Sequence, residues 1–319
     1  TLFGYSLNLY LTQIAYSATF LIFLTYIFNY SERGLLTFNV FLSRSGVDVD
    51  EISIFDALLL WIGITSVLSV YYLSVGSYSS LKTLIISSAL FLLLFFGLNL
   101  KLRLPSFKSH LGLIIILLIA LLFRIEPYLY VMGGQDQGIY VNMSAVYERT
   151  GGPFYTDTLR EALSAEDKKV YDERNQLMQT GNPHSRNFGG VHQLGFFFED
   201  ISKSKYVSQF LVLHPIWMAI FAKTFGTDFR VYSHLFFSTL LIVAVYFIVL
   251  DLSNGKKLAA FSVALFLALN PLVAFFSKLP TKEIILYFFF LAGAYSLIQY
   301  YQKSRTGLLK PIYLFISFL

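Results

Sequence analysis

The sequence contains no cysteine, which excludes disulfide bonds and any metal site built on thiolates. It is also poor in charge, because Asp, Glu, Lys and Arg make up 13% of its residues, against about 25% in an average soluble domain. A phosphate-binding glycine loop, a zinc-ligand spacing and a dinucleotide fingerprint are missing from the 319 residues. The net charge of +5 is modest and lies mostly in short loops, so it indicates membrane topology rather than nucleic-acid binding.

Long apolar runs take the place of these features, and 56% of the residues are hydrophobic. The core of a soluble protein could not surround each of these runs on every face, whereas a bilayer can. A helix forms all of its backbone hydrogen bonds internally, and about 20 apolar residues are enough for it to cross the membrane. The sequence therefore predicts an all-α, polytopic integral membrane protein. It begins without Met and stops inside an apolar run, so we expect it to be part of a longer chain. The runs cover residues 5–30, 55–75, 81–100, 111–131, 232–252, 258–277 and 284–301, and another begins at 311.

Basic residues in the short loops predict the orientation of these spans. Loops that are rich in Lys and Arg stay on the cytoplasmic side of a membrane. Alternation then places residues 132–231 and the short loop 277–283 together on the extracytoplasmic face. The loops that set this orientation carry Lys101, Arg103 and Lys108; Lys256 and Lys257; and Lys303, Arg305 and Lys310.

The large extracytoplasmic region has a predicted organisation of its own. Residues 136–150 repeat apolar side chains at helical spacing, which indicates an amphipathic helix ended by two glycines. Residues 192–198 and 206–213 predict a small β-hairpin around a polar turn. Residues 209–225 are apolar but too short to span, so we expect them to form an interfacial helix that begins at Pro215 and lies on the outer leaflet.

Asp136 lies where the chain leaves the span at 111–131 and enters the amphipathic helix. A carboxylate at a membrane edge, next to glycines that allow close approach, suits a general base or a ligand of a divalent cation. An aspartate in this position is also a common helix N-cap. Its position alone leaves these three roles open.

The loop between the spans at 258–277 and 284–301 carries Lys278, Lys282 and Glu283. Lysines are disfavoured on the extracytoplasmic face, so this pair indicates an anionic ligand such as a lipid phosphate. Glu283 stands at the head of the next span, where an acid also stabilises the helix dipole.

Three groups of residues follow one another in a fixed order along residues 111–301: Asp136 after the span; Gln209-Phe210, His214-Pro215, Phe225-Gly226 and Arg230; and Asn270-Pro271, Ser277, Pro280 and Glu283. This order resembles the GT-C superfamily of membrane glycosyltransferases, which use polyprenyl-phosphate-linked sugars. The chain is most similar to bacterial relatives of the dolichyl-phosphate-mannose protein mannosyltransferases and of the aminoarabinose lipid A transferases. Protein mannosyltransferases carry an Asp-Glu pair at the span exit, whereas Asp136 lies between two glutamines, which leaves the substrate subgroup open.

The resemblance implies an inverting sugar transfer to a lipid, glycan or protein acceptor at the outer face of a bacterial or archaeal cytoplasmic membrane. Asp136 would be the catalytic base and, if a divalent cation takes part, its ligand. Substrate contacts would come from Lys278, Lys282, Glu283, Arg230 and His214. Membrane lipids would surround the helices, and the lipid-linked sugar would be the donor; no other cofactor is required.

The resemblance also divides the chain. Residues 1–110 would form three additional N-terminal helices that could bind protein partners through 1–100. Residues 111–131 would be the first helix of the GT-C-like core, residues 132–231 the extracytoplasmic loop with juxtamembrane helices, and residues 232–319 further core helices. Two alternatives remain: a non-catalytic GT-C-like scaffold subunit of a larger complex, and a transporter. The transporter is disfavoured because the notable charges lie at the outer boundary and the sequence shows no repeated halves.

Overall fold

The computed structural model describes residues 51–98, 100–103, 107–129, 136–177, 191–193, 195–200, 202–208, 210–302 and 309–317. The predicted span at 5–30 lies outside these residues, as do the glycines at 133 and 134. Helices dominate the described part of the chain, and few of its residues lie in strands.

The elements are numbered here in chain order. The helices are α1 (Ile54–Ser74), α2 (Ser80–Gly97), α3 (Phe107–Arg124), α4 (Asp136–Thr150), α5 (Thr158–Ala162), α6 (Ala165–Leu177), α7 (Leu213–Phe225), α8 (Tyr232–Leu252), α9 (Lys257–Leu269), α10 (Pro271–Phe276), α11 (Glu283–Gln302) and α12 (Leu309–Ser317). A 3₁₀ helix, Thr227–Val231, leads directly into α8. The strands are β1 (Glu51–Ser53), β2 (Lys101–Arg103), β3 (Phe154–Thr156), β4 (Val191–Gln193), β5 (Phe196–Asp200) and β6 (Lys205–Ser208).

Four of the described helical segments are long and apolar enough to cross a membrane: α1, α2, α11, and the 3₁₀ helix together with α8. They correspond to four of the predicted spans. Two other predicted spans are shorter than expected. The span expected at 111–131 is helical only to Arg124, and the span expected at 258–277 is two helices, α9 and α10.

The break between α9 and α10 has a local cause in the sequence. The Asn270 side chain accepts hydrogen bonds from the backbone N–H groups of Leu272 and Val273, which is an N-cap, and Pro271 takes the first helical position. A helix of 13 residues, the length of α9, is only about 20 Å long, against a hydrocarbon core of about 30 Å.

Helix α1 lies at the centre of the bundle. In its most apolar stretch 78% of the residues are buried, against 17% in α2. The indole N–H of Trp217 in α7 donates to Ser66 Oγ at 3.1 Å, and Thr65 Oγ1 donates to Ser87 Oγ of α2 at 2.9 Å. Such hydrogen bonds between small hydroxyl side chains join helices in apolar surroundings. The two described helices of the region 1–110 are therefore built into the same core as α7 and α8.

Helix α7 differs from the interfacial helix that was expected. It begins at Leu213, two residues before Pro215, and every residue from 214 to 220 is buried. It packs against α1, α2, α4 and α8, so residues 214–220 meet protein on all sides, whereas Lys223, Thr224 and Phe225 in the last turn are exposed. The sequence could not distinguish a helix at the membrane surface from one buried in the protein. An apolar run without regularly spaced polar residues is compatible with both.

The predicted amphipathic helix is confirmed as α4, with Ile139, Tyr140, Met143 and Tyr147 buried. It ends at Gly151, whose φ of +70° is the left-handed conformation that glycine adopts without strain. The Gly151 carbonyl accepts a hydrogen bond from the backbone N–H of Tyr78, in the turn between α1 and α2, at 2.8 Å. The end of α4 is thereby fixed to the bundle.

The predicted β-hairpin is confirmed in part as β5 and β6, but the strand expected at 192–198 is divided between β4 and β5, which pair with each other. The hairpin belongs to an antiparallel sheet in the order β3-β6-β5-β4. The second strand ends at Ser208 rather than at residue 213. Gly195, which precedes β5, has a φ of +85°, and a Cβ atom built there would lie 2.2 Å from Ile139 Cδ1 of α4. The sheet therefore contacts α4 at a point where only glycine fits.

Replacing Gly195 with alanine should loosen the sheet from α4. We expect the substitution to lower the free energy of unfolding by about 2–4 kcal/mol, because it adds a left-handed alanine and overpacks the Ile139 side chain. The melting temperature of the purified protein in detergent measures this. Gly97→Ala is the matched control, since no atom lies within 4 Å of the added Cβ. Equal melting temperatures for the two variants would contradict the contact.

Candidate functional site

Asp136 is the first residue of α4, and its side chain is exposed. An acid in the first turn of a helix is stabilised by the free backbone N–H groups there. Tyr140 follows one turn later, about 6 Å along the axis, and is fully buried. Its ring stacks on Phe210, with centroids 4.7 Å apart, and also lies 4.7 Å from the ring of His214. The exposed carboxylate thus lies one helical turn from a buried aromatic and histidine cluster.

The cluster contains a second histidine, which the sequence analysis did not single out. The rings of His214 in α7 and His234 in α8 meet edge to face, with centroids 4.5 Å apart, and both residues are at least 96% buried. Neither ring nitrogen of His214 has a hydrogen-bond partner among the described residues. Burial, together with the nearby His234, lowers the pKa of His214 well below its usual range. His214 is therefore a neutral, buried imidazole with unused hydrogen-bonding capacity.

His234 connects this cluster to the loop between α10 and α11. Its Nδ1 lies 3.1 Å from the Val231 carbonyl oxygen, and its Nε2 lies 3.1 Å from the Thr281 carbonyl oxygen. Glu283 begins α11 two residues after Thr281 and interacts electrostatically with His234. Glu283 Oε2 and Thr281 Oγ1 are buried, and neither has a partner among the described residues. The start of α11 therefore adds two more unsatisfied polar atoms to the histidine pair.

The lysines of the same loop lie at its edge. The Lys278 carbonyl accepts a hydrogen bond from the backbone N–H of Tyr128 at 2.7 Å, and Lys278 Nζ lies 5.1 Å from the centre of the Tyr128 ring. Lys278 is half-buried and Lys282 is exposed. The loop is thus held at two points, by Tyr128 after α3 and by His234 in α8, and it carries both lysines.

The structure places Arg230 in different surroundings from those of a phosphate ligand. Its guanidinium is buried against α4, where it donates to the Val141 carbonyl at 3.2 Å, to Glu148 Oε2 at 3.1 Å and to Ser144 Oγ. A phosphate could reach it only by displacing these groups. Burial raises the pKa of Glu148 and outweighs the opposite effect of Arg230. Arg230 therefore attaches the 3₁₀ helix to α4.

The structure thus connects His214 to the start of α11: His214 contacts His234, and His234 contacts the Thr281 carbonyl two residues before Glu283. Lys278 and Lys282 belong to the same loop as Thr281. Asp136 lies one helical turn before Tyr140, whose ring contacts His214. His234 escaped the sequence analysis because no local spacing links it to His214, 20 residues away. The only feature of the sequence that points to His234 is its position at the start of an apolar run, four residues after Arg230. Among the described residues, no group of three or more His, Asp or Glu side chains is arranged to hold a metal ion.

Comparison with protein-family models, with curated proteins and with solved structures finds no match to this chain. The resemblance to the GT-C superfamily therefore rests on the order of its motifs alone.

Removing the Arg230 guanidinium should destabilise α4 in a pH-dependent way. A carboxylate whose pKa is raised by folding favours the folded state below its unfolded pKa and loses this effect as the pH rises through its folded pKa. Arg230→Ala removes the group that lowers the pKa of Glu148, so the loss with rising pH should become larger. At neutral pH we expect about 3 kcal/mol, the usual penalty for an uncompensated buried charge.

The measurement is the melting temperature as a function of pH. The double variant Arg230→Ala, Glu148→Gln serves as the control, because it has no buried carboxylate to titrate and should lose most of the pH dependence. A melting temperature unchanged by Arg230→Ala at every pH would show that this contact does not hold α4.

Proposed function

We propose that this chain is a multi-pass membrane glycosyltransferase of the GT-C type, which transfers a sugar from a polyprenyl-phosphate donor to an acceptor on the extracytoplasmic side with inversion at the anomeric carbon. The observation that carries the proposal is the group of buried polar atoms without partners on His214, Thr281 and Glu283, beside a loop with two lysines. Buried polar atoms are normally paired, so such a group at the ends of apolar helices favours a polar ligand there.

The charges on the site suit the reaction. The Asp136 carboxylate takes the proton of the acceptor hydroxyl while the hydroxyl oxygen forms a bond to the anomeric carbon. The bond between that carbon and the phosphate oxygen breaks, and the phosphate leaves with the electron pair. Lys278 and Lys282 stabilise the charge that develops on the leaving phosphate. His214, which is neutral, and Glu283 hydrogen-bond the hydroxyl groups of the sugar.

The surroundings of the loop suit a donor with a long apolar tail. Leu272 and Phe275 on α10 and Leu286 and Phe290 on α11 are exposed on the helices that flank Lys278 and Lys282. A polyprenyl chain can remain in the hydrocarbon phase next to these side chains while its phosphate reaches the lysines. Asp136 is exposed, so an acceptor can approach it from the aqueous side.

The Asp136→Asn variant should lose sugar transfer while remaining folded, because asparagine keeps the shape of aspartate but cannot accept the proton. We expect a fall in turnover of about 10²- to 10⁴-fold, the usual contribution of a general base. The assay measures transfer and donor hydrolysis from a panel of polyprenyl-phosphate sugars. Asp228→Asn is the control, since Asp228 is an exposed acid in the same region.

Full activity of Asp136→Asn would show that another group is the base. If the folded wild-type protein turned over none of the donors, the transferase proposal would fail and the non-catalytic scaffold would replace it. In that case the protein should copurify with partners bound through residues 1–100.

The lysines should act on donor binding rather than on the chemistry of the acceptor. Lys278→Gln and Lys282→Gln should each raise the KM for the donor by about tenfold, since each removes a charged contact to phosphate worth roughly 1.5 kcal/mol or more. The dependence of this KM on salt should also weaken. Lys203→Gln in the β5–β6 turn removes an exposed charge elsewhere and should change neither quantity. Donor kinetics unchanged by both loop variants would contradict the phosphate site.

A further inference from the structure

His234 has two hydrogen-bond acceptors but, when neutral, only one N–H. Both of its ring nitrogens lie 3.1 Å from carbonyl oxygens, those of Val231 and Thr281. A neutral imidazole carries a single N–H, so one of these two contacts must lack a proton. The protonated ring has two N–H groups and satisfies both carbonyls. The two contacts of His234 therefore favour the imidazolium over either neutral tautomer, whereas burial opposes its charge.

The groups that face His234 determine whether it can hold the second proton. Burial opposes the charge, and the neutral His214 ring on α7 adds no compensation. Glu283 at the start of α11 favours the charge, and its Oε2 is buried without a partner among the described residues. The two carbonyl oxygens favour it as well. Arg230, one turn earlier on the same helical segment, has its charge compensated by Glu148.

We propose that His234 is a proton-dependent positioning residue, which holds the loop of Lys278, Lys282 and Glu283 against α8 when a proton from solvent completes its second hydrogen bond. The Nε2 contact joins α8 to the Thr281 carbonyl, one residue before Lys282. Loss of the proton leaves the neutral ring with its N–H on Nδ1, which donates to the Val231 carbonyl of its own helical segment, and turns the Nε2 lone pair towards the Thr281 carbonyl. The loop is then held mainly by Tyr128. The effect on sugar transfer rests on the proposed function, whereas the effect on the loop itself does not.

The first test measures the loop directly. Because the chain has no native cysteine, a single cysteine at position 282 accepts one spin label without further changes. In the full chain reconstituted in lipid nanodiscs, the label should become less mobile as the pH is lowered between about 8 and 4. In His234→Gln the label should be immobile throughout, because the amide N–H donates to Thr281 at any pH. In His234→Phe it should be mobile throughout.

A matched variant assigns the titration to the correct ring. His214→Gln removes the other imidazole of the pair and should retain the pH dependence of the label. The proposal is overturned if the label in the otherwise wild-type chain does not respond to pH, or if the response survives in His234→Gln and disappears in His214→Gln.

The second test measures the donor kinetics of the unlabelled protein against pH. The KM for the donor should rise by about tenfold as the pH increases through the transition seen with the label, and it should stay flat in His234→Gln. A loop that responds to pH in a protein without transferase activity would leave this inference standing and overturn the proposed function. Sugar transfer whose KM for the donor changes with pH equally in wild type and in His234→Gln would overturn this inference and leave the proposed function standing.

Discussion

The site depends first on a buried arginine that joins the ends of two helices. Arg124 ends α3, and its guanidinium donates to the carbonyls of Ala120 in α3 and of Ala268 and Leu267 at the end of α9. Helix ends leave carbonyl groups without partners in the helix, and in apolar surroundings each of these is expensive. The guanidinium supplies donors to the last turn of α9 and joins that turn to α3.

The chain that follows each of these helix ends leads to the lysine loop. The chain leaves the helix after Arg124 and bends, with Glu126 in the left-handed region at a φ of +62°, and the Tyr128 N–H donates to the Lys278 carbonyl. Asn270 begins α10 directly after α9 ends at Leu269, and Ser277 closes that helix by donating to the Val273 carbonyl. The segments that follow α3 and α10 are thereby joined at the lysine loop.

The pairing of the buried polar groups differs between Arg230 and the histidine cluster. Arg230 lies deep in the protein, and its guanidinium donates to carbonyl, hydroxyl and carboxylate oxygens of α4. His214 and Thr281 are buried to a similar degree and Glu283 is half-buried, but each keeps a buried polar atom without a partner among the described residues. Since an unpaired buried polar atom costs about 1–3 kcal/mol, a fold under selection for stability alone would remove such atoms. This contrast supports a ligand at the histidine cluster and argues against one at Arg230.

The sequence predicted those features that a local pattern determines. The stripe of apolar residues and the following glycine give α4, and alternation around a polar turn gives the hairpin of β5 and β6. Four spans follow from run length. The end of α9 has a local signal in Asn270 and Pro271, which run length does not register. The contact that joins the ends of α3 and α9 could not be predicted, because Arg124 and Ala268 are 144 residues apart. The burial of α7 and the role of His234 were missed for the same reason: periodicity shows that a segment is apolar, but it does not identify the neighbouring element.

Helix α4 shows why the described helices of the N-terminal region belong with the candidate site. Its middle is held by Arg230, its end is held by Tyr78 from the turn between α1 and α2, and its buried face meets Gly195 of the sheet. Asp136 is the first residue of this helix. For the role of base proposed for Asp136, a carboxylate acts best when the surrounding structure fixes it beforehand. Three attachments at different points along a 15-residue helix leave it little freedom to rotate or slide. The turn between α1 and α2 is therefore part of what positions Asp136, although it lies outside the region that resembles the glycosyltransferases.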